Sequence, residues 1–467
     1  MIFDSFSFIF ICFIPSVLAV LVIDKVGRKY RIRLENLILL LFSLLFLAWS
    51  GTVYLKSLIF LIVFNYVIGM LKDKSKVMLV LGIIGDVGIL IYYKYLYLIV
   101  STLNGFLHKE YELWDIVVPL GISFIVFECI SYLIDIYLDK TERCTNFLNF
   151  ALFLAFFPKL IEGPIVQYHD MEEQLKRRKI EFDKVVGGIE RCIIGLSKKV
   201  LLGDILSHTS TGIFQMGEVD AGTAWIAVLS YALGLYMDFS GYSDMAIGMA
   251  SIFGFSFKEN FNFPYLSTSV SEFWRRWHIS LGTWFREYVY IPLGGSRKGN
   301  VYLHLFIVFL ITGIWHGASW VYLFWGMFHG ICVVIERYIM RKSWYQKIPV
   351  FIKWEVTFLL VSIGWITFNV TTMKEFWKFI GCLVGMGHVS SFSAMYYLTP
   401  RLLFIWGVVI VGMIIFSRPK VQIVLSRWNE QSVVFNGIKY AILLLCLYLC
   451  FITTVSEGYT PFLYFQF

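Results

Sequence analysis

Stretches of about twenty apolar residues recur from one end of this chain to the other, and that leaves few folds open. A backbone in lipid must satisfy its own N–H and C=O groups, which restricts a spanning chain to helices or a closed barrel. A helix needs roughly 20 apolar residues to cross the hydrocarbon core. Runs near that length stand at 7–24, 36–54, 57–71, 77–100, 115–138, 222–237, 301–336, 352–370, 402–417 and 436–455. Mean hydropathy is +0.72 and only 15% of residues are charged, against roughly 25% in soluble proteins. The expectation is an all-α polytopic membrane protein, seated multi-pass in the lipid bilayer of the cell membrane. The run from Ile9 to Ile23 lacks the basic start and small-residue cleavage site of a signal peptide, so it reads as a first span. No linker, low-complexity tract or fixed-period repeat divides the 467 residues, so one integral domain over 1–467 is expected.

The net charge of +8 is a topology signal. Lys and Arg gather in short loops: Lys25 to Arg33, Lys72 to Lys76, Lys140 to Arg143, Lys176 to Lys179 and Arg337 to Lys342. The positive-inside rule makes these cytoplasmic and puts the N-terminus outside. No basic patch sits in a soluble region, which argues against a nucleic-acid partner. The eight cysteines are scattered through apolar runs and read as small hydrophobes. No His or Cys spacing suits a metal, and no P-loop, dinucleotide fingerprint or GxSxG elbow occurs. No metal and no bound cofactor are expected.

Three places carry polar chemistry inside this apolar chain. The first is Tyr265 to Gly295, dense in arginine and aromatic residues. Ser269 and Glu272 read as a capping box, and Pro292 with Gly294-Gly295 as a stop. One helix is expected here, with His278 in its middle, dipping into the membrane and facing a protein cavity. Arg275, His278 and Gly282 then share a face at i, i+3, i+7, and the guanidinium groups of Arg275 and Arg276 suit a phosphate-bearing ligand. The second place is 301–336, too long for one span and short for two, interrupted at Thr312–Ser319. Basic flanks on both sides imply two helices that enter and leave on the same side, with His316 at the break. An ionisable group inside a membrane is costly and marks function, and imidazole suits general-base work near neutral pH.

The third is Tyr236 to Asp244, where Gly241 is expected to break a helix. Asp238 and Asp244, with Ser240 between them, would cap helix ends or orient a histidine. Elsewhere, Pro158, Gly163 and Pro164 imply a broken or re-entrant segment over 147–165, in which Lys159 and Glu162 are spaced to pair. Residues 171–206 read as amphipathic helices on the cytoplasmic face. His108 and His388 are expected in loops, His169 and His208 on the cytoplasmic surface, and His304 and His329 in helices near the break.

The stretches PLGISFIVFECISYLIDIY, FPKLIEGPIVQY, YMDFSGYSDMAIGMASIFGF, NFPYLSTSVSEFWRRWHISLGTWFREYVYIPLGGSR and ITGIWHGASW, in this order, resemble the membrane-bound O-acyltransferases. The wording is most similar to the bacterial polysaccharide-acetylating branch, strongly over roughly 80–330 and weakly to the end through GWITF and PFLYFQF. The resemblance implies a ring of helices around a central tunnel with broken or re-entrant helices. It implies His316, in the WHG motif, as the signature catalytic residue and His278, in RRWH, beside it. Trp274, Arg275 and Arg276 would then bind the donor, with Asp238, Asp244 and Ser240 in support. Acetyl-CoA is the implied cytoplasmic acyl donor. The implied partners are an extracytoplasmic acetyltransferase resembling SGNH hydrolases and the polysaccharide export machinery. A sibling branch transfers D-alanine toward teichoic acid and stays an alternative. A transporter would predict inverted repeats, which do not appear. Family members often carry an arginine after the GW-aromatic motif; here Asn369 follows Gly364–Phe368, which puts a role for that position in doubt.

Overall fold

The computed structural model describes residues 3–26, 30–71, 75–111, 114, 116–387 and 393–458. Lys72–Lys74, Glu112, His388 and PFLYFQF fall outside them. Every regular element among the described residues is helical, and the chain is an all-α polytopic membrane protein. Among the described residues six helical stretches are long and apolar enough to span: Phe8–Lys25, Arg31–Ser50, Thr52–Met70, Lys76–Leu107, Val350–Phe368 and Val433–Ser456. A seventh, Pro400–Phe416 with Pro419–Gln431, bends by 87°. The chain forms two compact units, residues 1–192 with 243–258, and residues 193–242 with 259–467.

In the first unit the helices used below are α1 (Arg31–Ser50), α2 (Thr52–Met70), α3 (Ile122–Tyr137), α4 (Phe147–Ala155) and α5 (Tyr168–Lys176). The broken segment after α4 is present. The helix stops at Ala155, one short turn follows at Phe157–Leu160, and the chain reverses at Gly163. A Cβ on Gly163 would lie 2.4 Å from the Lys159 Cα, so only glycine fits that turn. Lys159 and Glu162 do not pair, because an i, i+3 pair needs a continuing helix and this one ends at Leu160. The Lys159 ammonium instead donates to Glu128 on α3, whose other oxygen accepts the Val166 N–H at 3.4 Å. Arg178 likewise meets Glu35 of α1 at 3.0 Å, both side chains buried. His169 on α5 is half-buried, its Nδ1 2.9 Å from Asp135.

The second unit contains α7 (Val270–Arg276), α8 (Ile279–Phe285), α9 (Val301–His316), α10 (Trp320–Ile339) and α11 (Val350–Trp365). Helix α6 (Ala221–Ile252) starts in this unit and ends in the first. It runs unbroken for 32 residues, so the expected break at Gly241 is absent. Gly241 serves close approach instead: a Cβ there would lie 2.6 Å from the Gly195 carbonyl oxygen. The amphipathic stretch is helical over Phe182–Ser197 and Asp204–Phe214, joined by a π-helical turn at Lys198–Gly203. Lys199 in that turn is fully buried and donates to Asp204 at 2.7 Å, so it does not lie on the surface.

Helices α9 and α10 form a tight antiparallel pair. Gly313 and Gly326 meet face to face, and a Cβ on either would come within 2.5 Å of the partner helix's carbonyls. Small residues at such a crossing let backbones pack closely where lipid supplies no hydrophobic drive. Below them lies an aromatic core of Phe273, Trp277, Trp325, Trp365 and Phe368. Tyr265 ties it together: its hydroxyl donates to the Ala232 carbonyl at 2.7 Å and accepts from Trp365 Nε1 at 3.0 Å.

Candidate active site

His316 is the last residue of α9, where the apolar helix meets the Gly317–Ser319 break. Gly317 lies against the Tyr322 ring, with no room for a side chain. The Ser319 hydroxyl then accepts the Val321 N–H at 3.2 Å and starts α10. The break therefore holds the imidazole at a fixed point. His316 is buried, with its ring centroid 4.8 Å from Trp325 and 5.2 Å from Phe368, both edge-on.

The expected single helix through His278 is two short helices and a π-helical turn, Arg286–Tyr290. Ser269 does cap α7, accepting the Glu272 N–H at 3.0 Å. The Glu272 carboxylate takes the Thr268 N–H at 2.9 Å instead of closing the box on Ser269. Glu336 of α10 supplies the rest, accepting the Val270 and Ser271 N–H groups at 2.8 Å each. A carboxylate there complements the helix N-terminus and locks α7 to the histidine-bearing helix pair.

Between α7 and α8 the backbone turns at His278, which has φ +45°, in the left-handed region. Such a conformation costs of order 1–3 kcal/mol for a side chain with a Cβ and persists only where its surroundings enforce it. Asn260 supplies that enforcement. Its backbone carbonyl accepts the Ile279 N–H at 2.9 Å. Its Oδ1 lies 3.2 Å from His278 Nδ1 and accepts from the Ser280 N–H and hydroxyl at 3.2 and 2.9 Å. His278 is 3% exposed and packs edge-on to Phe239, centroids 4.8 Å apart.

Both histidines line one cavity of about 630 Å³. Leu305, Val308, Thr312 and His316 line it from α9, at the i, i+3, i+7, i+11 spacing of one helical face. At 1.5 Å per residue that face is about 16 Å long. Arg337 and Arg341, at and beyond the end of α10, line the cavity too, with Arg275 and Arg286. The antiparallel packing, in which Gly330 lies against Phe306, puts Arg337 beside the start of α9, at the far end from His316. Among the described residues no carboxylate pairs with Arg275, Arg337 or Arg341. Arg337 and Arg341 thus mark a cationic end of the cavity, and His316 the other.

Of the residues singled out in the sequence, His316, His278, Trp274 and Arg275 come together in the cavity wall, as does Gly282. Arg275, His278 and Gly282 reach it although no continuous helix carries all three. Arg276 turns away and pairs with Glu272 at 2.6 Å. Asp238 and Ser240 are buried on α6 outside the cavity lining. Asp244 lies in the first unit, held by Arg191 at 2.9 and 2.8 Å. Sequence reasoning missed Asn260 and Thr312 and assigned Arg337 and Arg341 to topology alone. It also passed over His329, which is wholly buried behind the wall, 4.9 Å from Trp274 and 4.8 Å from Trp325. The rule that intramembrane ionisable groups mark function pointed to it equally. His304 sits in the first turn of α9, remote from the break, with its Nδ1 2.9 Å from the Gly295 carbonyl.

An imidazole beside a space for substrate, at the end of a slot with guanidinium groups at its mouth, is equipped to transfer a group from an anionic carrier. Residues 40–370 match the membrane-bound O-acyltransferase family. A probable alginate O-acetylase AlgI from Pseudomonas putida is 36% identical, with all of both chains covered. A peptidoglycan O-acetyltransferase from Helicobacter pylori is 34% identical over 75% of this chain and 74% of its own. A teichoic acid D-alanyltransferase from Bacillus subtilis is 28% identical over 49% of this chain and 60% of its own. The chain belongs to the membrane-bound O-acyltransferase family.

Proposed function

We propose that this O-acyltransferase moves an acetyl group from cytoplasmic acetyl-CoA through the membrane for O-acetylation of an exported or cell-envelope polysaccharide. The observation that carries the reading is the single cavity lined by both motif histidines and by Arg275, Arg337 and Arg341, with which no carboxylate pairs among the described residues. The diphosphate and 3′-phosphate of CoA suit Arg275, Arg286, Arg337 and Arg341, since guanidinium groups bind phosphate in charge-assisted, often bidentate fashion. The extended pantetheine arm suits a slot of about 16 Å, which delivers the thioester to His316. The relatives supporting an acetyl group and a polysaccharide acceptor match more of the chain, at higher identity, than the D-alanyl relative does.

In this mechanism His316 takes the proton from an acceptor hydroxyl as its oxygen attacks the thioester carbonyl. The C–S bond breaks, the new C–O ester bond forms, and the proton passes to the departing CoA thiolate. The alternative path uses His316 as an acyl relay, with the same net balance. His278 polarises or positions the thioester. The acceptor is a hydroxyl on an extracytoplasmic partner resembling SGNH hydrolases, which passes the acetyl group to the polymer at the export machinery. The test is the O-acetyl content of envelope polysaccharide in cells carrying His316→Ala. Loss of acetylation at normal protein levels is expected. Wild-type acetylation would overturn the reading.

A further inference from the structure

We infer that Asn260 is a positioning residue that fixes the tautomer of His278, so that Nδ1 carries the proton and Nε2 is the basic nitrogen. The inference rests on the reading of His278 as a working residue of the cavity. It starts from an ambiguity that the local hydrogen bonds resolve. A carboxamide can present either its oxygen or its nitrogen to a histidine, and the two choices fix opposite tautomers. Here the atom facing His278 Nδ1 also receives the backbone N–H of Ser280 at 3.2 Å. A backbone N–H only donates, so the atom is the oxygen. The Ser280 hydroxyl also lies 3.5 Å from Nδ1, but its proton goes to the shorter contact, 2.9 Å to Asn260 Oδ1; His278 Nδ1, 3.2 Å from that oxygen, is then the donor, and the neutral ring keeps its lone pair on Nε2.

The arrangement is built for this purpose more firmly than capping requires. Asn260 meets the His278 turn through four contacts: its main-chain carbonyl on Ile279, and its side-chain oxygen on His278, Ser280 N–H and Ser280 hydroxyl. Arg276 extends the clamp, its carbonyl accepting the Asn262 N–H at 2.9 Å. These bonds hold His278 at φ +45°, a conformation few non-glycine residues adopt. With Nδ1 committed to Asn260 and the ring forming part of the cavity wall, Nε2, itself buried, is the nitrogen left to accept a proton or a hydrogen bond. An oriented imidazole of this kind needs a second group to set its tautomer, as in other acid–base sites.

The most direct test is solid-state NMR of the full chain in bilayers with 15N-labelled histidine, the His278 signal being the one lost in His278→Gln. A proton on Nδ1 is expected; a proton on Nε2 overturns the inference. Activity supplies the second arm. Asn260→Ala, which frees the tautomer, should lower kcat about ten-fold or more with little change in KM. Asn260→Asp offers an acceptor oxygen to the same three donors and should restore kcat to within about three-fold of wild type. An Asp variant as inactive as the Ala variant, though equally stable, would contradict the inference. His278→Gln separates the two readings. Full activity in that variant sinks the role of His278 itself, whereas an inactive His278→Gln with an Nε2 proton in the wild type sinks only the tautomer assignment.

Discussion

The first unit's buried ion pairs and the second unit's cavity-lining arginines use charge in opposite ways. In the first unit the buried cations Lys159 and Arg178 pair with Glu128 and Glu35, and the half-buried Arg191 with Asp244. In the second unit Arg275, Arg337 and Arg341, none of them fully buried, line a cavity, and among the described residues no carboxylate pairs with any of them. A buried ion pair is self-contained, since each charge offsets the other's desolvation. Cations that converge on a cavity and are not neutralised by the protein favour an anion brought from outside.

The comparison can be broken by removing charge in each unit and asking what is lost. The largest effect is expected at the imidazole end: His316→Ala should lower acyl transfer by about 10²–10⁴-fold, measured on protein in liposomes, with unchanged thermal stability. In the first unit the loss should be stability. Glu128→Gln leaves the Lys159 ammonium buried without its partner, at a cost of about 3–5 kcal/mol, read as a lower unfolding temperature or failed accumulation. Replacing both residues with methionine should recover much of that loss.

At the cationic end, Arg337→Gln should raise KM for acetyl-CoA about ten-fold, one charge-assisted contact being worth about 1.5–3 kcal/mol, with kcat little changed. With acetyl-pantetheine, which lacks the diphosphate and the 3′-phosphate, the same variant should match wild type. Equal effects on both donors would remove the phosphates from that end.

The smallest effect concerns His169. Its hydrogen bond to Asp135 holds the imidazole pKa above the ordinary value of 6.5. A raised folded-state pKa gives stability that is full below the ordinary value and is lost as pH rises through the folded value. The unfolding temperature of wild type should therefore fall more between pH 6 and pH 8.5 than that of His169→Gln. Parallel curves would show that the contact contributes nothing.

The membrane fold was legible because helices in lipid must be long and apolar, and such runs survive any error at their ends. His316 was legible for a related reason: a polar residue between glycines stands out in an apolar helix pair. The break at Gly317–Ser319 was visible on the same grounds. The Tyr236–Asp244 stretch misled, because glycine flanked by carboxylates reads equally as a helix break or as a close crossing. Only the packing partner decides, and for Gly241 that partner is Gly195, 46 positions away. Asn260 was invisible for the same reason, being 18 residues from the histidine it clamps. Arg337 and Arg341 read in sequence only as a basic flank, and the antiparallel return of α10 along α9 brings them into the cavity lining.

The measurement that bears most directly on the account is a cryo-electron microscopy structure of the full chain in lipid with a non-hydrolysable acetyl-CoA analogue. The account predicts density along α9, with the acyl end beside His316 and the phosphates against Arg337 and Arg341. An empty cavity at saturating analogue, or the analogue bound away from both histidines, would contradict it.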